Sequence, residues 1–543
     1  MAFNVRDKRA PRSAGPMQSS PSPSSTLGGG NQPGYAFEDK TALFLLATNS
    51  FFGQDKFYEK AKASDDRFVA LVQKVTKADR VWMLDFITWL RASGNMRANA
   101  VVASVESCLV AKDMPEPAVP GEPGLARKLA QAGIGRADEV GEALAYYSSK
   151  YGRKNPPKPL KRGLADALVK HLNEYAAAKY NGQGKAWSLG NLIQWVHPAP
   201  GDFAQDALFK YLVAKDYEPD TEIPVALQKL VKRSLLMKMP VDSRRGVLTA
   251  TDGAQWLKDA GMTWEALAGW LQGPMDKAAW EAIIPSMGYM ALLRNLRNFD
   301  EAKVSADVAA QVSIKLSDPG QVARSKQFPF RFLAAYRAAP SLRWASALSA
   351  ALDMSLGNIP ALGGKTLVLV DTSGSMAHAF SEHSEMKRWD AAALFGIALG
   401  LAGNQVDVWS YSDKWKQFHL RKGADTLGEL KRWGDDGYNI GSGTNTFGAL
   451  KATITPEHNR VIILTDEQHN WSSGVDYYGR HPSMDQIVGP NRHVFSFNLA
   501  GYAHGHAPTS KFHHSFGGLT DACFPLIAQI EQAHSGNWPW VAQ

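Results

Sequence analysis

The stretch LVLVDTSGSM (367–376) carries Asp371, Ser373 and Ser375 at alternate positions, directly after an apolar run. In a loop beyond a strand, that spacing lets three side-chain oxygens converge. Asp and Ser also gather in turns and helix N-caps, so the triplet alone decides little. Two further stretches add to it. GSGTNTFGAL (441–450) is a glycine-rich loop opening a helix and offers Thr444. LTDEQ (464–468) ends another apolar run with Asp466. Two carboxylates and three hydroxyls make a hard, all-oxygen donor set with no thiolate or imidazole to favour zinc, and this suits Mg²⁺. A site so poor in charge leaves the ion electrophilic, and an acidic group from a partner can complete its shell.

These residues need a scaffold that brings three loops to one place. From about Gly363 the chain alternates apolar runs of strand length, KTLVLVD, VDVWSYSD, RVIILTDE and HVFSFNLAG, with helix-like RWDAAALFGIALGLAG and FGALKATIT. Strand alternating with helix predicts a mostly parallel sheet covered on both faces. Such sheets bind ligands beyond the carboxyl ends of their strands, where DTSGSM, SYSD and TDE all fall. The motifs D-x-S-x-S, T-N-T and T-D, in this order, resemble the von Willebrand factor A domain and its metal-ion-dependent adhesion site. The resemblance implies that Asp371, Ser373, Ser375 and Thr444 ligate the ion, and that Asp466 does so directly or through water. GGKT (363–366) is not a phosphate loop: the first glycine of that motif would fall at Ile359, and the segment precedes a strand. His504, His506, His513 and His514 have no carboxylate or cysteine spaced with them and read as a solvated loop.

Before that half, residues 35–356 read as helix after helix, as in LADALVKHLNEYAAAKY (164–180) and GYMALLRNLRNFD (288–300). Breaks such as PEPAVPGEPG (115–124) and KNPPKPLKRG (154–163) separate the runs. Stacked helical pairs suit this pattern. Positive charge concentrates between 148 and 200: Lys158, Lys161 and Arg162 precede a helix, and Lys170, His171, Lys179, Lys185, Trp187 and His197 follow. Lys and Arg meet phosphates, while Trp and His stack on or hydrogen-bond to unpaired bases. The alternative is a solvated charged face with Trp187 in the core.

The order of the basic KPLKRGLADAL, NEY and AKYN pieces, then MGYMALLRNL, then FPFRFLAAY, then a metal-site A domain, resembles the TROVE family in its bacterial form. ALLRNL (291–296) is the most specific short piece. The resemblance implies a HEAT-like helical-repeat ring over residues 35–358, closed by a doubly wound von Willebrand factor A-like domain over 359–543. It implies a monomeric ring that binds small noncoding Y-like RNAs on its basic outer surface and the 3′ ends of misfolded RNAs in its hole. A 3′ exoribonuclease would be reached through the RNA. Lys179, Lys185, Trp187 and His197 fall in the segment matching the Y RNA surface, and Lys158, Lys161 and Arg162 at the start of the same module.

Length and composition set outer bounds. The 543 residues exceed one hydrophobic core. The net charge of +8 favours polyanionic partners. Cys108 and Cys523 cannot build a disulfide framework; they fit a reducing, cytoplasmic setting as inert thiols. Residues 1–34 lack the apolar core of a secretory signal and read as a flexible basic arm. The longest apolar stretch, AAALFGIALGLAG (391–403), is too short to span a bilayer. With no acid–base pair or nucleophile triad, the reading is an RNA-binding scaffold without catalysis. The first rival is a metal-dependent protein-interaction scaffold without RNA. The second, a hydrolase using Asp371 and Asp466, lacks a base to activate water.

Overall fold

The computed structural model describes residues 38–49, 61–94, 96–115, 123–152, 155–180, 187–339, 341–380, 386–441, 443–466, 484–499, 512–517, 519, 523–534 and 537–541. The expected basic arm, and Lys185, His504 and His506, lie outside them. The chain divides into two compact units: residues 64–292 with 298–309 and the C-terminal tail from Pro539, and residues 310–538 with 293–297 and the N-terminal segment to Ala63.

The second unit is built on six strands: β1 (Lys365–Asp371), β2 (Gln405–Tyr411), β3 (Trp415–Phe418), β4 (His458–Thr465), β5 (His493–Asn498) and β6 (His513–Gly517). Their order is β3-β2-β1-β4-β5-β6. All pairs are parallel except the β2–β3 hairpin. Alternate side chains explain why β1 is apolar from Leu367 to Val370. Val368 and Val370 join Phe395, Ile462, Phe495 and Phe524 on one face, while Leu367 and Leu369 join Phe447, Leu450, Val461 and Met484 on the other. The helices Arg388–Leu401 and Cys523–His534 thus cover one face, and Thr446–Thr453 and Met484–Val488 the other. Each buried Leu, Ile or Phe contributes about 1.5–3 kcal/mol. The strand order reverses between β1 and β4, which makes their carboxyl ends the topological switch point.

Two strands escaped the sequence reading. β3 is four residues long and mostly exposed. β6 corrects the expected solvated histidine loop: His513 and His514 are strand residues paired with Val494 and Phe495, and both are buried. His513 Nε2 lies 3.2 Å from Asp485, and His514 stacks on Phe495. Histidine inside a parallel edge strand carries no period-2 signal for a reader of sequence to find.

The first unit is helical among its described residues. Helix Lys158–His171 corrects the break expected over 154–163. Pro157 and Pro159 occupy its N-cap and first turn, where proline's missing N–H costs nothing. Gly163 lets this helix press onto Leu125–Ala132, since a Cβ there would lie 2.5 Å from Ala130 Cβ. The run expected as one helix over 164–180 breaks at Asn173, whose side chain accepts the Ala176 N–H at 2.9 Å and starts a second helix, Glu174–Tyr180.

Deep in this unit Glu106 is fully buried. Its carboxylate accepts hydrogen bonds from Tyr146 (2.6 Å), Gln73 (2.7 Å), Lys150 (2.9 Å) and Tyr151 (2.9 Å). Burial pushes its pKa up, but these donors outweigh burial and hold it below the ordinary glutamate value. The C-terminal Trp540 packs its ring against Trp82, Phe86 and Trp89, with centroids 5.3, 5.8 and 5.7 Å away. Trp540→Ala is expected to destabilise the helical unit by about 2 kcal/mol, the sum of three modest aromatic pairs. Chemical denaturation of wild type and variant measures it.

Candidate functional site

The five expected metal ligands sit on three loops at the switch point. β1 delivers Asp371, and the short 3₁₀ turn Gly374–Ala377 follows at once. The Ser373 N–H donates to Asp371 Oδ1 at 2.8 Å, folding the loop back over the strand end. The Ser373 and Ser375 hydroxyls are 3.3 Å apart. Thr444 lies on the loop before helix Thr446–Thr453. That loop is stitched to the ends of β1 and β2: Gly441 N–H donates to Thr372 O (2.9 Å), Asn445 N–H to Ser412 O (2.9 Å) and Gly443 N–H to Asp413 (3.1 Å). Asp466 directly follows β4 and is fully buried, as is Asp371.

The electrostatics fit a cation. Burial drives the Asp371 carboxyl up to about 7, and the like charge of Asp466 adds to it. The Thr465 hydroxyl (2.6 Å, on Oδ2) and the Ser373 N–H pull in the opposite direction. Two buried carboxylates in one pocket are costly without positive charge beside them. Hydroxyl donors and carboxylates match a hard divalent ion. Ser412 Oγ, on the same sheet edge, is buried with no hydrogen-bond partner among the described residues.

Sequence reasoning missed Thr465 and Arg388. Thr465 is the residue before the T-D aspartate and holds the outer oxygen of Asp371. Arg388 opens helix Arg388–Leu401; its guanidinium donates to Ser375 O at 3.3 Å and lies 3.7 Å from Asp466 Oδ2. Thr465 stands in the T-D motif, but its bond to Asp371 has no sequence signal, nor has the place of Arg388, because each depends on which loops meet.

The expected RNA-facing residues spread over one stretch of the helical unit. Lys158, Lys161 and Arg162 occupy the first turns of helix Lys158–His171. Arg162 and His197 meet across a cavity of about 350 Å³, lined also by Arg127, Asp166, Lys170 and Val196. His197 ends helix Leu189–Val196 in a left-handed conformation (φ 51°), which directs its exposed side chain out of the helix. Arg127 grips Asp166 through two 2.6 Å hydrogen bonds. With Lys170 of the basic run, and with Arg127, which the sequence reading did not single out, the cavity has three cations against one carboxylate. Lys179 is exposed on helix Glu174–Tyr180, with its ammonium over the Tyr175 and Tyr180 rings. Trp187 is half-buried and meets Trp195 edge-on at 5.2 Å.

The fold defines a two-part class: a helical-repeat unit and a doubly wound unit whose switch point carries the buried carboxylates Asp371 and Asp466. Residues 259–362 match the TROVE domain family model. The crystal structure of the Ro (RSR) protein of Deinococcus radiodurans superposes with a TM-score of 0.67 at 17% identity, covering 92% of this chain and 100% of that one. Both bear out the resemblance to the bacterial TROVE proteins, and the fold is that of the Ro protein. No curated protein sequence matches the chain. No helix among the described residues is long and apolar enough to cross a membrane.

Proposed function

We propose that this protein is a Ro-type RNA-binding scaffold of the cytoplasm, which holds small structured noncoding RNA and the 3′ ends of misfolded RNA for a degradative partner. The observation that carries the reading is the joining of a TROVE match and Ro fold to a positively charged cavity in the helical unit. Arg162 and His197, joined by Arg127 and Lys170, form the centre of the proposed RNA surface. Lys158, Lys161 and Lys179 extend it, and Lys185 and Trp187 belong to the same segment. Phosphates would meet the cations, while Trp187 and His197 would meet unpaired bases.

In the second unit Asp371, Ser373, Ser375, Thr444 and Asp466 would hold Mg²⁺. When bound, the ion supplies a Lewis-acidic point for an acidic group of a partner. Asp371 and Asp466 have no general base aligned with them among the described residues, so the site is read as a docking point.

Native purification followed by sequencing of co-purifying RNA tests the reading. A discrete, structured small RNA supports it. Stoichiometric protein partners with no RNA favour the metal-dependent interaction scaffold instead. The surface itself is tested by Arg162→Ala combined with Lys179→Ala. Each removed phosphate contact lowers the slope of log affinity against log salt by about one, so the pair lowers it by about two. An unchanged slope, measured by filter binding over a salt series, removes both residues from the phosphate surface.

A further inference from the structure

Arg388 places a permanent positive charge 3.7 Å from Asp466 Oδ2, on one of the expected metal ligands. Its side chain is only 17% exposed, so water screens it weakly. It is held in position from several sides. The Arg388 N–H donates to His378 O at 3.1 Å, and Ser375 O accepts from the guanidinium. His378 Nδ1 lies 2.7 Å from the same Ser375 carbonyl. Two residues on, Asp390 caps the helix through the Lys387 N–H and accepts from Arg337 at 2.7 Å. Asp390 is thus engaged elsewhere, and Asp466 is the carboxylate paired with Arg388 among the described ion pairs.

The charge balance follows. With the ion in place Asp371 and Asp466, both ionised, bring two negative charges, and Arg388 returns one. The ligand set offered to the ion therefore carries no more than a single net negative charge, too little to hold a divalent cation strongly. With the ion bound, the site carries one net positive charge, which one carboxylate would neutralise.

We infer that Arg388 is a built-in counter-cation that keeps divalent-ion affinity low until a carboxylate arrives, so that ion and anion are taken up together. The ligand class is a carboxylate side chain on an acidic protein surface. The inference rests on the metal reading given under Proposed function. Arg388 acts by repelling the ion, and when a carboxylate binds it adds a second, cationic contact beside the metal.

The test is calorimetric titration of Mn²⁺ into the full-length protein, in chloride and in acetate buffer of equal ionic strength. Acetate is the carboxylate probe. Wild type should bind Mn²⁺ several-fold tighter in acetate than in chloride. Arg388→Gln should bind at least about tenfold tighter than wild type in chloride, because one close repulsion is gone, and should lose the acetate effect. Arg388→Lys, which keeps the charge, should stay near wild type. If Arg388→Gln binds Mn²⁺ no tighter while Asp371→Ala abolishes binding, the metal site stands and the role of Arg388 falls. If wild type and Arg388→Gln both fail to bind Mn²⁺, the metal reading falls and the inference falls with it. A shared melting temperature for wild type and Arg388→Gln shows that loss of charge, and not loss of fold, moves the affinity.

Discussion

Mg²⁺ or Mn²⁺ is expected to stabilise this protein against heat, and Asp371→Ala is expected to abolish that gain. At about a hundred times its dissociation constant, an ion that binds only the folded state adds about 2.7 kcal/mol of stability. Asp371 is the one proposed ligand that belongs to a strand, and both its oxygens are fixed, one by Ser373 and the other by Thr465. No neighbouring group can replace it without moving the sheet. The ion-free variant should not be badly destabilised. Removing Asp371 also removes a buried carboxyl that burial drives up to about 7 and that repels Asp466. Asp371→Asn is the matching control, since it keeps the shape and loses the charge. Melting curves with the ion and with a chelator decide the matter. A variant that still gains stability from Mg²⁺ sinks the assignment of Asp371. RNA affinity should remain at the wild-type level, because the proposed RNA residues all belong to the helical unit. Loss of RNA binding in a folded variant would contradict that division of labour.

Glu106→Ala carries the second large effect, on stability alone. The carboxylate gathers donors from helix Ala61–Ala78 and helix Glu139–Tyr151 onto helix Arg97–Ala111, which bears Glu106 itself. Deleting it leaves Lys150 without its buried partner and three neutral donors unmatched. Breaking one side of a buried, hydrogen-bonded charge pair costs about 3–5 kcal/mol. Glu106→Gln keeps some of the hydrogen bonds and should cost less. The pH dependence has a definite sign. The folded-state pKa lies below the unfolded value, so the stabilisation is complete above the ordinary glutamate range and fades as pH falls through the lowered value. The stability gap between wild type and Glu106→Ala should therefore be widest near neutrality and close on acidification. Urea denaturation at two pH values measures both. A cost under about 1 kcal/mol would mean that the network is no better than exposed pairs.

Legibility from sequence followed the kind of signal each element carries. β1 and β4 are runs rich in Val, Ile and Leu, buried on both faces, and β2 and β5 are short β-branched and aromatic runs, so composition separates all four from helices. Helix Arg388–Leu401 was equally plain as an apolar stretch of helical length. The four-residue β3 and the histidine-bearing β6 were not, because pairing and not propensity makes them strands. In the helical unit the prolines at 157 and 159 looked like a break and proved to be a helix start. Proline is excluded from helix interiors and favoured in the first turn, and only the backbone tells which applies.

The sequence by itself determined which atoms are available for chemistry: a hard oxygen set in three ordered motifs, a basic helical segment, and an alternation of strand and helix that puts the motifs at strand ends. These are local facts, carried by residue type and spacing. The tertiary structure alone decided that Arg388 stands beside Asp466, that Thr465 holds the second oxygen of Asp371, and that Arg127 and Lys170 join Arg162 and His197 around one cavity. Each of these depends on residues far apart in the chain meeting within a few ångströms. Charge acts through space and falls off with distance, so a site's net charge, and with it what the site attracts, is set only when the fold has brought those residues together.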